Sequence, residues 1–279
     1  MAQRTSGTPE EAKQRTATTY NAAADVYDDP ANSFWERFGS RTVARLQLAP
    51  GSNVLDVCCG SGASAIPAAA AVGDNGSVIG VDLAENLLQL ARTKAAARDL
   101  RNIRFVHDDI LSIDLAPEGF DAVICVFGIF FIPDMPSAMR ELWRYVKPGG
   151  RLAITTWGPR FFEPANTAFW NSIRAVRPDL HKSFNPWERI SEPEALRSLF
   201  ESAGVEDSEV VAENGIHPVG SPDDWWSMIL GSGYRGTVEQ LDDNDRERVR
   251  LENLDFISRN DVRGVEANVL YGMARKLSR

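Results

Sequence analysis

Residues 53–64, Asn-Val-Leu-Asp-Val-Cys-Cys-Gly-Ser-Gly-Ala-Ser, constrain the fold more than any other stretch. Apolar residues lead to an acid, Asp56, and then to Gly60 and Gly62 with Ser61 between them. A second apolar run, Ser77 to Val81, ends on another acid, Asp82, twenty residues past Gly62. A strand ending in a glycine bend, then a second strand tipped with an acid, is how a doubly wound α/β sheet holds an adenosine-containing ligand. The glycines let backbone approach the ligand with no Cβ in the way. A carboxylate at the second strand's tip can accept hydrogen bonds from two ribose hydroxyls at once.

The rest of the chain repeats this alternation. Residues 1–13 read as a loose polar tail, 14–27 as a short helix, and 32–48 as an amphipathic helix. Strands are expected at 53–57, 77–82, 103–106, 121–126 and 151–157, with helices at 62–72, 84–98 and 134–146 between them. That order implies parallel strands with helices on both faces. Prolines 159, 164, 178 and 186 break the pattern over 158–190. A helix at 192–203 then stops at Gly204, a strand follows at 205–212, and a last strand runs over 266–274. Residues 214–263, carrying Trp225, Trp226 and Tyr234, read as an inserted helical cap. The expected organisation is a tail with lid helices (1–48), a nucleoside-binding core (49–157), and the remainder of the same domain with its cap (158–279).

Composition removes several function classes. Lys plus Arg number 30 against 39 Asp plus Glu, a net charge of −9. A phosphate backbone rewards clustered cations, so nucleic acid is not the expected partner. Three cysteines, two of them the adjacent Cys58 and Cys59, form neither a disulfide framework nor a zinc site, and no metal is expected. Small buried thiols fit a reducing cytoplasm. The longest apolar run, Ala122 to Ile132, stops at Pro133, short of the roughly 20 residues that span a bilayer, so no membrane insertion is expected.

Gly60-Ser61-Gly62-Ala63-Ser64-Ala65 also fits the glycine pattern of a nicotinamide site. Asp56 argues against that, because a dinucleotide site keeps an apolar residue there; this acid would hold loop amides or a ligand ammonium. A third strand ends in Phe105-Val106-His107-Asp108-Asp109-Ile110, where an acid can accept from an adenine amino group. Val146-Lys147-Pro148-Gly149-Gly150 stands before a further strand. These residues together resemble a class I S-adenosylmethionine-dependent methyltransferase, closest in style to the ubiquinone/menaquinone-biosynthesis C-methyltransferases and their small-molecule relatives. Leu55 to Gly62 is similar to that family's first motif, and Asp82 to its ribose-binding acid. Asp109-Ile110 is similar to its adenine contact, and Lys147 to Leu152 to the turn before its fifth strand. Cys58 departs from the pattern, since many members have glycine there.

The resemblance implies a seven-stranded, mostly parallel sheet in the order 3-2-1-4-5-7-6, strand 7 antiparallel. It implies S-adenosyl-L-methionine as cofactor and a small-molecule acceptor; nothing in the sequence sets an oligomeric state. The cofactor-binding residues it implies are Asp56, Gly60, Ser61, Gly62, Asp82, Leu83, Asp109, Ile110 and Val126. Tyr20 and Tyr27 join them from an N-terminal segment that closes over the site, where their rings attract a sulfonium. Val126, Phe127, Gly128 and Phe131 are expected on the methyl-transfer face. Phe127, Phe130, Phe131, Trp157, Phe161, Phe162, Trp225 and Trp226 make the variable regions aromatic, which favours a planar or lipophilic acceptor. No catalytic base is assigned; His217 and His181 are the candidates. Two other readings compete: a nicotinamide-dependent oxidoreductase on a related sheet, and a protein that binds the cofactor without chemistry.

Overall fold

The computed structural model describes residues 8–205 and 207–278. Seven strands form one sheet: β1 (Asn53–Val57), β2 (Ser77–Asp82), β3 (Ile103–His107), β4 (Phe120–Val126), β5 (Val146–Trp157), β6 (Ser208–Glu213) and β9 (Val269–Arg275). Their order is β3-β2-β1-β4-β5-β9-β6. The first five run parallel, and β9 lies antiparallel to both neighbours. This is the expected topology, with β9 as the seventh strand of the sheet. A separate two-stranded sheet pairs β7 (Ile216–Pro218) with β8 (Gly264–Glu266).

Strand alternation sends side chains to two cores. Val54, Val78, Ala122, Ile124 and Ala153 pack under α2 (Phe34–Leu46), α3 (Ala65–Val72) and α4 (Glu85–Ala97). Leu55, Val57, Val123, Leu152 and Ile154 belong to the larger core, with Met139 and Leu142 of α5 (Met135–Tyr145) and Leu196 and Phe200 of α7 (Pro193–Ser202). Burial on both faces is why these strands read as unbroken apolar runs.

Three expectations change. The N-terminal helix α1 (Pro9–Ala23) starts five residues earlier than expected. The side chains of Thr8 and Glu11 cap it reciprocally, and Pro9 needs no hydrogen-bond partner at the first position. Residues 1–7 of the expected tail lie outside the described residues. The proline-broken stretch contains a regular helix, α6 (Ala165–Val176), entered directly after Pro164. The expected last strand divides, Gly264–Glu266 going to β7 and Val269–Arg275 to the main sheet.

Between β7 and β8 lie α8 (Pro222–Leu230), α9 (Arg235–Val238) and α10 (Asp243–Arg259). Buried polar groups tie them down: Trp225 Nε1 donates to Asn253 Oδ1 at 3.0 Å, and Asn253 Nδ2 donates to Ser172 Oγ on α6 at 2.9 Å. Among the described residues no helix is long and apolar enough to cross a membrane.

Candidate active site

The ends of β1, β2, β3 and β4 open into a cavity of about 230 Å³, floored by the loop after β1 and roofed by α1. The loop turns sharply. Cys58, Gly60 and Gly62 all have positive φ (55°, 51° and 86°). Cys58 pays for that conformation in strain, and its side chain fills space that Gly128 leaves open: a Cβ on Gly128 would stand 2.4 Å from the Cys58 Cβ. The departure from glycine at 58 is therefore matched by a glycine opposite.

Asp82 is the electrostatic centre. Its Oδ2 accepts from the Gly60 amide and its Oδ1 from the Ala84 amide, each at 2.8 Å. Each oxygen keeps a lone pair for a ligand. Burial raises its pKa, and the backbone hydrogen bonds oppose that rise. At the tip of β3, Asp109 Oδ1 accepts from the Leu111 amide at 3.0 Å and Oδ2 from Lys13 Nζ of α1 at 2.7 Å. Asp108 turns back to accept from the Asp109 amide at 2.7 Å.

Aromatic rings line the same cavity. Tyr20 meets Tyr27 and Phe131 edge-on at centroid distances of 6.2 and 5.6 Å. Tyr27 stacks on Trp35 at 5.2 Å, and Trp35 meets Phe127 at 5.6 Å. All five line the cavity. Burial is the main cause pushing the Tyr20 and Tyr27 hydroxyls up, with the Asp82 charge adding to it, so both stay protonated.

Of the residues expected to hold cofactor, the structure gathers Tyr20, Tyr27, Gly60, Asp82, Leu83, Asp109, Ile110 and Val126 around this cavity. Three others lie outside its lining. Asp56 is fully buried and faces α3, where its Oδ2 accepts from Ser64 Oγ at 2.7 Å. Burial lifts its pKa to about 7. Ser61 Oγ donates to Asp28 at 2.7 Å and accepts from Lys94 at 2.9 Å. Gly62 packs against Ile66 and Ala91.

Val126, Phe127, Gly128 and Phe131 line the cavity as a group. Phe130, Trp157, Phe162 and Trp225 are instead core residues, and Phe161 and Trp226 are half-buried elsewhere. Neither candidate base lines the cavity. His217 is buried in β7, with Nε2 2.8 Å from the Ala31 carbonyl and Nδ1 unpartnered. His181 lies edge-on to Trp170 at 6.0 Å. Sequence reading missed Lys13, Thr16, Ala17 and Trp35. The spacing of Lys13, Thr16, Ala17 and Tyr20 on one helical face was the available signal.

Comparison with known proteins agrees with this geometry. The ubiE/COQ5 methyltransferase family matches over residues 10–210. A demethylmenaquinone methyltransferase of Listeria monocytogenes is 32% identical over 215 residues, covering 72% of this chain and 89% of that protein. Among solved structures, a SAM-dependent methyltransferase from Aquifex aeolicus superposes with a TM-score of 0.52 at 22% identity, covering 74% of this chain and 92% of that one. Phosphoethanolamine N-methyltransferase 2 of Haemonchus contortus, solved with S-adenosylhomocysteine, reaches 0.59 at 17% identity, covering 96% of this chain and 60% of that one. The fold is thus shared, and over most of its length this chain belongs to the ubiE/COQ5 methyltransferase family, as an S-adenosylmethionine-dependent methyltransferase.

Proposed function

We propose that this enzyme methylates a ring carbon of a demethylated quinol, the acceptor class named for its Listeria relative. The observation that carries the reading is that five rings (Tyr20, Tyr27, Trp35, Phe127 and Phe131) and the carboxylates of Asp82 and Asp109 line one cavity. The acid side suits a nucleoside with free hydroxyls and an amino group. The ring side suits a sulfonium and a flat, apolar acceptor.

The residues present fit S-adenosylmethionine. Asp82, with lone pairs free on both oxygens, would take the ribose hydroxyls. Asp109 would take the adenine amino group, with Leu83 and Ile110 against the base. Gly60 keeps the floor low beneath the ligand, and Val126 stands where β4 meets it. When bound, the cofactor supplies a methyl group on a positively charged sulfur, a strong electrophile with a neutral leaving group. The protein's task is alignment and exclusion of water, which contributes up to about 7–11 kcal/mol. Attack by the ring carbon would form one C–C bond as the C–S bond breaks, S-adenosylhomocysteine would leave as a neutral thioether, and the ring proton would pass to water.

Among the described residues no histidine lines the cavity, and the two tyrosines are held protonated. A quinol that enters already ionised at its ring hydroxyl would need no base from the protein. A net charge of −9 and an apolar cavity favour such a small molecule over nucleic acid. Three free thiols fit a reducing compartment, and we place the enzyme in the cytoplasm.

The test is turnover of the purified protein with S-adenosylmethionine and a short-chain demethylated naphthoquinol kept reduced. Mass spectrometry should show one added methyl on a ring carbon. Cofactor binding without any methylated quinol, alongside turnover of another acceptor, would overturn the acceptor class.

A further inference from the structure

Helix α1 roofs the cavity without being buried in the protein. Ala23, at its last turn, is its one fully buried residue, and Tyr20 is partly buried against the cavity. Lys13, Thr16, Ala17 and Tyr20 face the cavity. Thr19 packs against Gly236 of α9 and Tyr20 against Phe131, and polar contacts hold both ends of the helix. At the C-terminal end Asn21 Oδ1 accepts from the Asn86 amide at 2.9 Å, and the Asn21 carbonyl accepts from Asn86 Nδ2 at 3.0 Å. Toward the N-terminal end Lys13 reaches across the cavity mouth to Asp109 at 2.7 Å, with Glu10 on its own helix also at 2.7 Å.

Asp109 is thus shared. One oxygen is fixed by the Leu111 amide and the other by Lys13, while the residue lines the cavity. The pair is partly shielded, with side-chain exposures of 32% for Lys13 and 17% for Asp109. Shielding of this kind strengthens an ion pair relative to one in open water. The two acids raise the Lys13 pKa to about 12, so the ammonium stays charged throughout the physiological range.

We propose that Lys13 is a latch: by pairing with Asp109 it holds α1 closed over the cavity and sets the rate at which an adenosine-bearing ligand leaves. Lys13 is a positioning residue, acting through the carboxylate that meets the adenine. The proposal rests on the cofactor reading of the cavity. A ligand amino group donating to the same carboxylate adds to the orientation that Lys13 already holds, so ligand and closed lid favour one arrangement of Asp109 together.

Two measurements on the full chain test it. The first is dissociation of S-adenosylhomocysteine, followed by displacement with excess unlabelled ligand. Lys13→Met should raise the off-rate about three- to ten-fold, the range for a partly shielded ion pair. The wild-type off-rate should climb with sodium chloride, the Lys13→Met rate should be nearly flat, and Lys13→Arg should restore both rate and salt response. The second is hydrogen exchange of the Thr16–Tyr20 amides without ligand, expected to be faster in Lys13→Met and near wild type in Lys13→Arg. An unchanged off-rate or an unchanged salt response in Lys13→Met overturns the latch. Failure of wild-type protein to bind S-adenosylhomocysteine by calorimetry overturns the cofactor reading and the retention role with it. Faster exchange in Lys13→Met would then show separately that the pair closes α1.

Discussion

Asp56 and Asp82 stand on adjacent parallel strands, both under the cost of burying a carboxylate, and they resolve it differently. Asp82 takes two backbone amides and keeps its remaining lone pairs at the cavity. Asp82→Ala should weaken S-adenosylhomocysteine binding by about 1.5–3 kcal/mol, measured by calorimetry, because hydrogen bonds to a charged acceptor are lost and the Gly60 amide loses its partner. Asp56 takes the Ser64 hydroxyl and leaves Oδ1 buried without a partner. Its folded pKa, about 7, lies above the ordinary 3.8. The folded state therefore holds the proton more tightly than the unfolded chain, and the stability this gives at low pH is lost as pH rises through about 7. Asp56→Asn should raise the Tm of ligand-free protein at pH 8 by about 2–4 °C, with the gain shrinking toward pH 4 in scanning calorimetry. Strand-tip acids were readable from sequence as cavity residues, since Asp82 and Asp109 both sit where a β-strand ends. Asp56 was not, because it lies inside β1, and alternation turns it to the helix face.

At the scale of the element, α1 separates closure from folding. Removing residues 1–20 takes away Lys13 and Tyr20 but leaves Ala23, Tyr27 and Trp35 in the core. The truncated enzyme should keep a Tm within a few degrees of wild type, yet release S-adenosylhomocysteine at least about ten-fold faster, because it loses the whole roof rather than one ion pair. A large fall in Tm would mean that α1 is part of the folded core. The start of this helix escaped sequence reading because its residues are polar and its signal is the Thr8–Glu11 cap, not a periodic apolar face. Helix α6 escaped for the opposite reason. Its apolar residues Phe169, Trp170 and Ile173 are spaced for a helix, but flanking prolines masked it. The five parallel strands were legible because each is an apolar run closed by a turn.

Across the whole molecule, His217 joins the small β7–β8 sheet to the segment leading from the roof into α2, through the Ala31 carbonyl. Burial lowers its pKa below the ordinary 6.5. The unfolded chain therefore takes up the proton first, and stability falls as pH drops below about 6.5, levelling once the folded histidine is also protonated. The Tm of His217→Gln minus that of wild type should grow as pH falls from 7 to 5, a difference that isolates His217 because Asp56 titrates in the opposite sense in both proteins. The sheet itself carries a further consequence. Its strand β9 lies between β5 and β6, both made earlier, and the helices of the cap come in between. A ribosome translating this chain exposes two raw strand edges with nothing to zip them. Until the closing strand emerges, the nascent half-sheet is an invitation to chaperones, and a stall during synthesis of the cap would leave it open to aggregation.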